Sequence, residues 1–419
     1  MMKHEKMKWT YVGLDSHKDS HTAVLLDCFY DKLGEITLKN LPSEFVKFLA
    51  EAEKLKMDGT QLLFGMEDVS AYGRTLAVFL KQNGKKVKHV NALLVARERR
   101  NQNIVQKTDS IDAECAAKVL LSKLNELPDA DTQDKFYILR SLVVRRNFIV
   151  KNNLRLKNSL HTMLTQHYPN YRSFFREIGC KTSLTFFMRY PSPSTLQNVT
   201  LKELTGFLKE PSQGKVGAVK ANAILTSLED TETEHQEIRD MAVQSIIRQL
   251  EFTIEELERI EASMTAFLEN FNCTLTSMNG IDVVTAAGLL SCIGDIKKFA
   301  TPAKLARYSG IAPITYASGK KDLQFANQRG NRELHSLFFN LAVRVSSTVG
   351  STNKVINPFF YDYYHRKLSE GKTKRQALKC VERRLVNIIW TMLTNNEEYV
   401  NPPMYDVPKK DERQEKKQK

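Results

Sequence analysis

The chain has 419 residues, 42% of them hydrophobic, which is enough to bury more than one core, so two or three domains are expected. Its 62 Lys and Arg against 48 Asp and Glu leave a net charge of +14, which points to a polyanionic partner, nucleic acid first and an anionic membrane surface second. No apolar run is long enough to span a bilayer, Met1–Thr10 does not read as a signal peptide, and six cysteines without a C-x-x-C pair argue against a zinc ribbon or a disulfide framework. A soluble, cytoplasmic protein with reduced thiols is expected.

In chain order, Trp9-Thr-Tyr-Val-Gly-Leu-Asp15 reads as a buried strand ending in a carboxylate, followed by a polar turn and a returning strand, Thr22–Asp27. His17 and His21 are four apart but fall on that turn and strand rather than on a helix, so a zinc pair is not expected and a polar strand edge is. Glu35–Leu38 is a third strand, and Ser43 is read as the cap of an amphipathic helix through Phe45, Phe48, Leu49 and Leu55. Gln61–Glu67 is a further apolar strand ending in an acid, Tyr72–Gln82 a helix and Lys86–Val90 a short strand. Three antiparallel-looking strands followed by α/β alternation describe a ribonuclease-H-like layer architecture, without giving the strand order.

The segment Lys107-Thr-Asp-Ser-Ile-Asp112 opens the next helix, with Thr108 or Asp109 as cap and Ile111, Cys115, Val119 and Leu120 at helical spacing. Asp109 and Asp112 are three apart and share a helix face, so both can point at one spot. Two anionic groups held that close call for a cation or a proton between them, and oxygen ligands suit Mg²⁺ or Mn²⁺. Asp15 and Glu67 each close an apolar strand, which puts them at a sheet's C-terminal edge. Four acids in the order Asp, Glu, Asp, Asp can hold two divalent ions about 4 Å apart, the arrangement that serves phosphodiester displacement. Directly before the acidic pair, Arg97, Arg99, Arg100 and Lys107 are placed for phosphate contact.

From residue 131 to 275 the pattern becomes helical. Ile138, Leu142, Ile149, Leu156, Leu160 and Leu164 recur at heptad-like spacing, with Arg140, Arg145, Arg146 and Arg155 among the basic residues on the other faces. Ile238, Met241, Ile246, Leu250, Ile254, Leu257 and Ile260 mark a second long helix beyond a Pro/Ser/Gly-containing insert, Tyr190–Gly217. An antiparallel hairpin follows, serving as spacer, oligomerisation element or nucleic-acid-binding surface.

The C-terminal region, 276–395, carries a glycine turn before a helix start at Asn279-Gly-Ile, as in helix-hairpin-helix elements whose amides hold a phosphate. Beyond it lies a loop, Ala312-Pro-Ile-Thr-Tyr-Ala-Ser318-Gly319-Lys320-Lys321, and then Arg329 and Arg332 around Gly330. Ser318, in a loop with lysines behind it, is placed for attack on phosphorus. The stretch 396–419 reads as a basic disordered tail.

These stretches together resemble the DEDD-type transposases of bacterial insertion sequences known as the IS-one-ten family, relatives of the Piv-type DNA invertases. The resemblance rests on Gly13-Leu-Asp15-Ser-His-Lys18, Glu67 with Tyr72, Lys107-Thr-Asp-Ser-Ile-Asp-Ala113, Asn279-Gly-Ile, Tyr308-Ser-Gly-Ile-Ala-Pro313 and Ser318-Gly319. It implies a RuvC-like catalytic domain over 1–130 whose Asp15, Glu67, Asp109 and Asp112 bind Mg²⁺, a coiled-coil linker over 131–275, and a transposase domain over 276–395 with Ser318 as nucleophile. It also implies DNA as substrate, a structured bridge RNA as guide, a covalent serine–DNA intermediate, composite sites in a homodimer or homotetramer, and a nucleoid-associated place in a bacterium. Two positions depart from the family pattern: Val69-Ser70 after the glutamate, and Asp282 in the glycine turn, where a carboxylate repels phosphate. A metal-dependent junction-resolving nuclease would need the four acids without Ser318, and a non-catalytic binding protein would need only the basic helices.

Overall fold

A five-stranded sheet frames the N-terminal region in the computed structural model, which describes residues 5–67, 71–130, 132–228, 234–318, 321–325, 327, 329–350 and 352–401. Its strands are β1 (Trp9–Ser16), β2 (Ser20–Leu26), β3 (Lys32–Lys39), β4 (Gln61–Met66) and β5 (Lys86–His89), in the order β3-β2-β1-β4-β5. The first three are antiparallel neighbours, whereas β4 runs parallel to β1 and β5 parallel to β4. The central strands read as continuous apolar runs because both of their faces are covered. Val12, Leu14, Leu62 and Phe64 pack against Phe45 and Phe48 of α1 (Pro42–Leu55) and Leu76 of α2 (Arg74–Gln82). On the other face, Tyr11 and Leu63 pack with Val95 of α3 (Ala92–Asn101) and with Cys115, Val119 and Leu120 of α4 (Asp109–Ser122).

Gly13 decides how closely α4 approaches. A Cβ built there would collide with the carbonyl oxygen of Ala113 and the amide of Ala117, so helix and strand touch backbone to backbone. Strand alternation then puts Tyr11, Gly13 and Asp15 on the α4 face of β1, with Leu63 and Gly65 on the same face of β4.

Two local expectations are corrected here. The first helix begins at Pro42 with Leu41 as its N-cap, and Ser43 lies inside the first turn, because proline's fixed φ suits that opening position. His21 does not lie at a polar strand edge: it is fully buried in β2, between β1 and β3, with its ring toward Phe45. In addition, the basic segment before the acidic pair is itself a helix, α3, capped by Asn91, whose side chain accepts from the Leu93 amide at 2.8 Å.

The described residues of 139–272 form a compact unit separate from those of 1–138 and 273–419. Its long helices, α5 (Asp134–His167) and α9 (Gln236–Leu268), run antiparallel, since Arg146 pairs with Glu261 and Asn153 with Thr253. Between them, α6 (Lys181–Arg189), α7 (Leu201–Lys209) and α8 (Ala218–Thr226) close over an aromatic core with Tyr168, Phe174, Phe186 and Phe187 fully buried. The heptad positions hold for Ile149, Leu160, Leu164 and Leu250, but Ile138, Ile238 and Met241 are exposed, and Leu139, Val143, Val243 and Ile247 are buried instead. Apolar residues are adjacent at 138–139 and 142–144, so spacing alone leaves the buried stripe uncertain by one position.

The C-terminal segment contributes α10 (Val283–Ile293), α11 (Pro302–Tyr308), a hairpin of β6 (Ile314–Ser318) and β7 (Lys321–Phe325), α12 (Arg332–Val345), a short β8 (Thr348–Val349) and β9 (Lys354–Val355) pair, α13 (Pro358–Ser369) and α14 (Lys374–Asn395). Val381, Leu385, Val386 and Ile389 of α14 are fully buried, as are Phe338 of α12 and Phe360 of α13. The stretch expected as a loop around Ser318 is therefore a strand pair at its centre. Past α14, the Tyr399 amide donates to Ser277 Oγ at 2.8 Å; the tail expectation for 402–419 lies outside the described residues.

Candidate metal centre

The centre is assembled where β1 ends and α4 begins. Asp15 is the penultimate residue of β1, on the face that α4 covers. Thr108 caps α4, its side chain accepting from the Ile111 amide, and this sets Asp109 and Asp112 in the first turn. The tight approach at Gly13 brings that turn to the strand end. In the turn after β1, the His17 amide donates to the Ser20 carbonyl, and the ring's Nε2 lies 3.2 Å from Asp15 Oδ2 and 3.2 Å from Asp109 Oδ1.

Electrostatics follow from this packing. Burial raises the Asp15 pKa above the ordinary carboxylate value, His17 opposes the rise, and the charges of Asp109 and Asp112 add to it. Burial disfavours charge on His17, but the carboxylates of Asp15 and Asp109 outweigh it and hold the imidazole pKa above its ordinary value. The imidazole nitrogen thus stands between the two acids, where either its own proton or a metal ion can be shared with their oxygens.

Among the described residues, Asp15, His17 and Asp109 form the group whose donor atoms, within 4.8 Å of one another, could share one ion. Glu67 and Asp112 stand outside it. Glu67 follows Met66, which pairs with Leu14, so its backbone ends β4 beside the end of β1. Asp112 is buried and ion-paired with Arg99, and Lys107 Nζ lies 4.0 Å away. Two carboxylates and an imidazole suit a small divalent cation, and a dication would offset the burial and the neighbouring charges that raise the Asp15 pKa, so the residues fit a metal. His17 is the participant that sequence reasoning missed. Its signal was position: two residues beyond a strand-ending aspartate, in the short turn that leads back into the sheet.

The expected nucleic-acid contacts are dispersed. Arg97 and Arg100 are exposed on α3, and Arg99 is engaged by Asp112. Along α5, Arg140 is half-buried, Arg145 lies over the Phe148 ring, Arg146 pairs with Glu261 at 2.7 Å, and Arg155 is exposed. Arg329 and Arg332 are exposed, Ser318 ends β6 with its backbone paired to Lys321, and Lys320 lies outside the described residues, as do Val69 and Ser70. Asp282 caps α10 through the Thr285 amide and holds Arg344 at 2.6 Å, so a carboxylate occupies the helix end where a phosphate was expected. The turn at Tyr308–Gly310 meets Arg329–Gly330 backbone to backbone. Both glycines have positive φ, and a Cβ on either would strike the other segment.

No helix among the described residues is long and apolar enough to cross a membrane. Residues 12–169 match a family model described as Transposase, of the DEDD IS110 type, and residues 272–364 match that of the Transposase IS116/IS110/IS902 family. Over 399 residues the chain is 26% identical to the Insertion element IS110 uncharacterized 43.6 kDa protein of Streptomyces coelicolor, spanning 93% of this chain and 95% of that protein. It is 25% identical over 401 residues to the Insertion element IS116 uncharacterized 44.8 kDa protein of Streptomyces clavuligerus, spanning 94% and 96%. Over 127 residues, 29% of this chain and 36% of the relative, it is 32% identical to the Pilin gene-inverting protein of Moraxella bovis.

Proposed function

The chain belongs to the IS110-type family of insertion-element transposases, enzymes that act on DNA, and from that premise we propose that it cuts and rejoins strands with a divalent-metal centre and a nucleophilic serine. The observation that carries this reading is the meeting of Asp15 and Asp109 across the β1–α4 contact, with the His17 ring nitrogen 3.2 Å from each. The sheet order β3-β2-β1-β4-β5, antiparallel then parallel, supports a RuvC-like catalytic domain over 1–130. The unit of 139–272 supports a helical linker over 131–275; the described residues of 1–138 and 273–419 cluster as the other unit, within which a transposase domain over 276–395 and a basic tail over 396–419 are proposed.

In this reading Asp15 and Asp109 hold Mg²⁺ or Mn²⁺, Glu67 approaches from the neighbouring strand end, and Asp112 adds charge while anchoring Arg99. When bound, the ion stabilises negative charge on the phosphate under attack. Ser318 supplies the nucleophile: its oxygen bonds to phosphorus, its proton passes to a base or solvent, and a deoxyribose oxygen leaves, giving a serine–DNA phosphodiester. Exposed Arg97, Arg100, Arg155, Arg329 and Arg332, with Arg140, Arg145, Arg146, Lys107, Lys320 and Lys321, serve DNA and a structured bridge RNA through phosphates. The working form is a homodimer or homotetramer acting at the nucleoid in the cytoplasm.

Trapping on a nicked DNA substrate tests the chemistry. Wild-type protein should yield a denaturant-resistant adduct mapping to Ser318, and Asp109→Asn should abolish it with the fold intact. An adduct that persists in Ser318→Ala would move the junction-nuclease reading ahead, and full activity of Asp109→Asn in Mg²⁺ would remove the metal assignment.

A further inference from the structure

We propose that His17 is itself a ligand of the metal centre, giving it a nitrogen donor beside Asp15 and Asp109 and a preference for Mn²⁺ over Mg²⁺. The inference rests on the metal-centre reading above and adds to the four acids a residue that is not one of them. Its basis is spacing. Neighbouring ligand atoms of an octahedral ion with bonds of about 2.1–2.2 Å lie about 3 Å apart. The two Nε2–carboxylate separations are both 3.2 Å, and one atom from each of the three residues falls within 4.8 Å of the others, so Nε2 stands where it shares an octahedral edge with each acid.

The backbone that carries the ring is also held. The His17 amide donates to the Ser20 carbonyl at 2.9 Å, closing the turn between β1 and β2, and the strands are paired immediately behind it at Ser16 and His21. The turn therefore fixes the Cα–Cβ bond of His17 beside the strand end that carries Asp15. Asp112, by contrast, is taken up by Arg99. Mg²⁺ favours oxygen-only shells, whereas first-row transition ions accept imidazole, so an O,O,N set moves selectivity away from Mg²⁺ and toward those ions, of which Mn²⁺ is the one closest to Mg²⁺ in its taste for carboxylates.

The test uses full-length protein and MnCl₂ alone, read by pulsed electron paramagnetic resonance and by calorimetry. Wild-type protein should bind Mn²⁺ and show ¹⁴N modulation from a coordinated histidine. His17→Ala should lose that modulation while still binding Mn²⁺ through the acids, about ten- to a hundred-fold more weakly, with Mg²⁺ affinity much less affected. Mn²⁺ bound by wild-type protein without ¹⁴N modulation, or modulation that survives in His17→Ala, overturns the ligand role and leaves the acidic centre standing. If wild-type protein does not bind Mn²⁺ at all, the metal centre fails and the role of His17 fails with it. The wild-type spectrum can overturn the ligand role by itself, and His17→Gln, tested beside His17→Ala, keeps the assignment open to test if one variant folds poorly.

Discussion

The β1–α4 junction and the α5–α9 hairpin both carry charge, yet they hold it in opposite ways. At the junction, main chain meets main chain across Gly13, Ala113 and Ala117, and three ionisable groups are fixed within a few ångströms. Along the hairpin, the helices join through side chains, and arginines such as Arg145 and Arg155 remain exposed. Backbone contact fixes geometry to the precision that chemistry on one atom requires. Side-chain contact suffices for attraction to a polyanion, because counterion release is insensitive to the placement of any single charge.

The largest expected effect breaks that contact. Gly13→Ala should destabilise the protein by about 3 kcal/mol or more, because both atoms it would strike are backbone and cannot rotate aside. Gly206→Ala, in open space on α7, should instead stabilise by about 0.5–1 kcal/mol. Denaturant melts of the two variants make the comparison, and equal midpoints would show that α4 does not need the close approach.

A smaller effect separates the ion pairs. Arg99→Ala leaves the buried Asp112 carboxylate without its hydrogen-bonded partner and should cost about 2 kcal/mol. Arg259→Ala on α9 removes exposed pairs with Glu255 and Glu256 and should cost about 0.5 kcal/mol or less. Comparable losses would mean that the Arg99 pair is as solvated as the surface one.

The smallest effect appears only in salt dependence. Neutralising Arg145, Arg146 and Arg155 together should reduce the slope of log K against log[salt] for DNA or RNA by about two rather than three. Arg146 is occupied by Glu261 and has less charge to offer a phosphate. An unchanged slope would return the hairpin to a spacer.

Much of this organisation is written in local sequence. A strand needs only an apolar run and a helix start only a capping threonine, so β1, β4 and the opening of α4 can be read directly, together with the acids they carry. The cap at Thr108 also dictates that Asp109 and Asp112 share the first turn. What local pattern leaves open is anything that depends on a partner distant in the chain. The stripe on α5 is ambiguous by one residue until tertiary packing buries Leu139 and Val143 and leaves Ile138 exposed, and Ser318 reads as a loop residue until β7 pairs with β6.

The acids, their order and the elements that end or begin at them follow from backbone propensities over a few residues. Which of them meet is a matter of packing between elements far apart in the chain. Asp15 and Asp109 converge because a glycine admits α4 against β1, His17 joins them because the β1–β2 turn sets it beside the strand end, and Asp112 is diverted because α3 presents Arg99 to it. Each of these outcomes depends on which elements pack together, and that is set by burial over the whole sheet rather than by the residues that carry the charge.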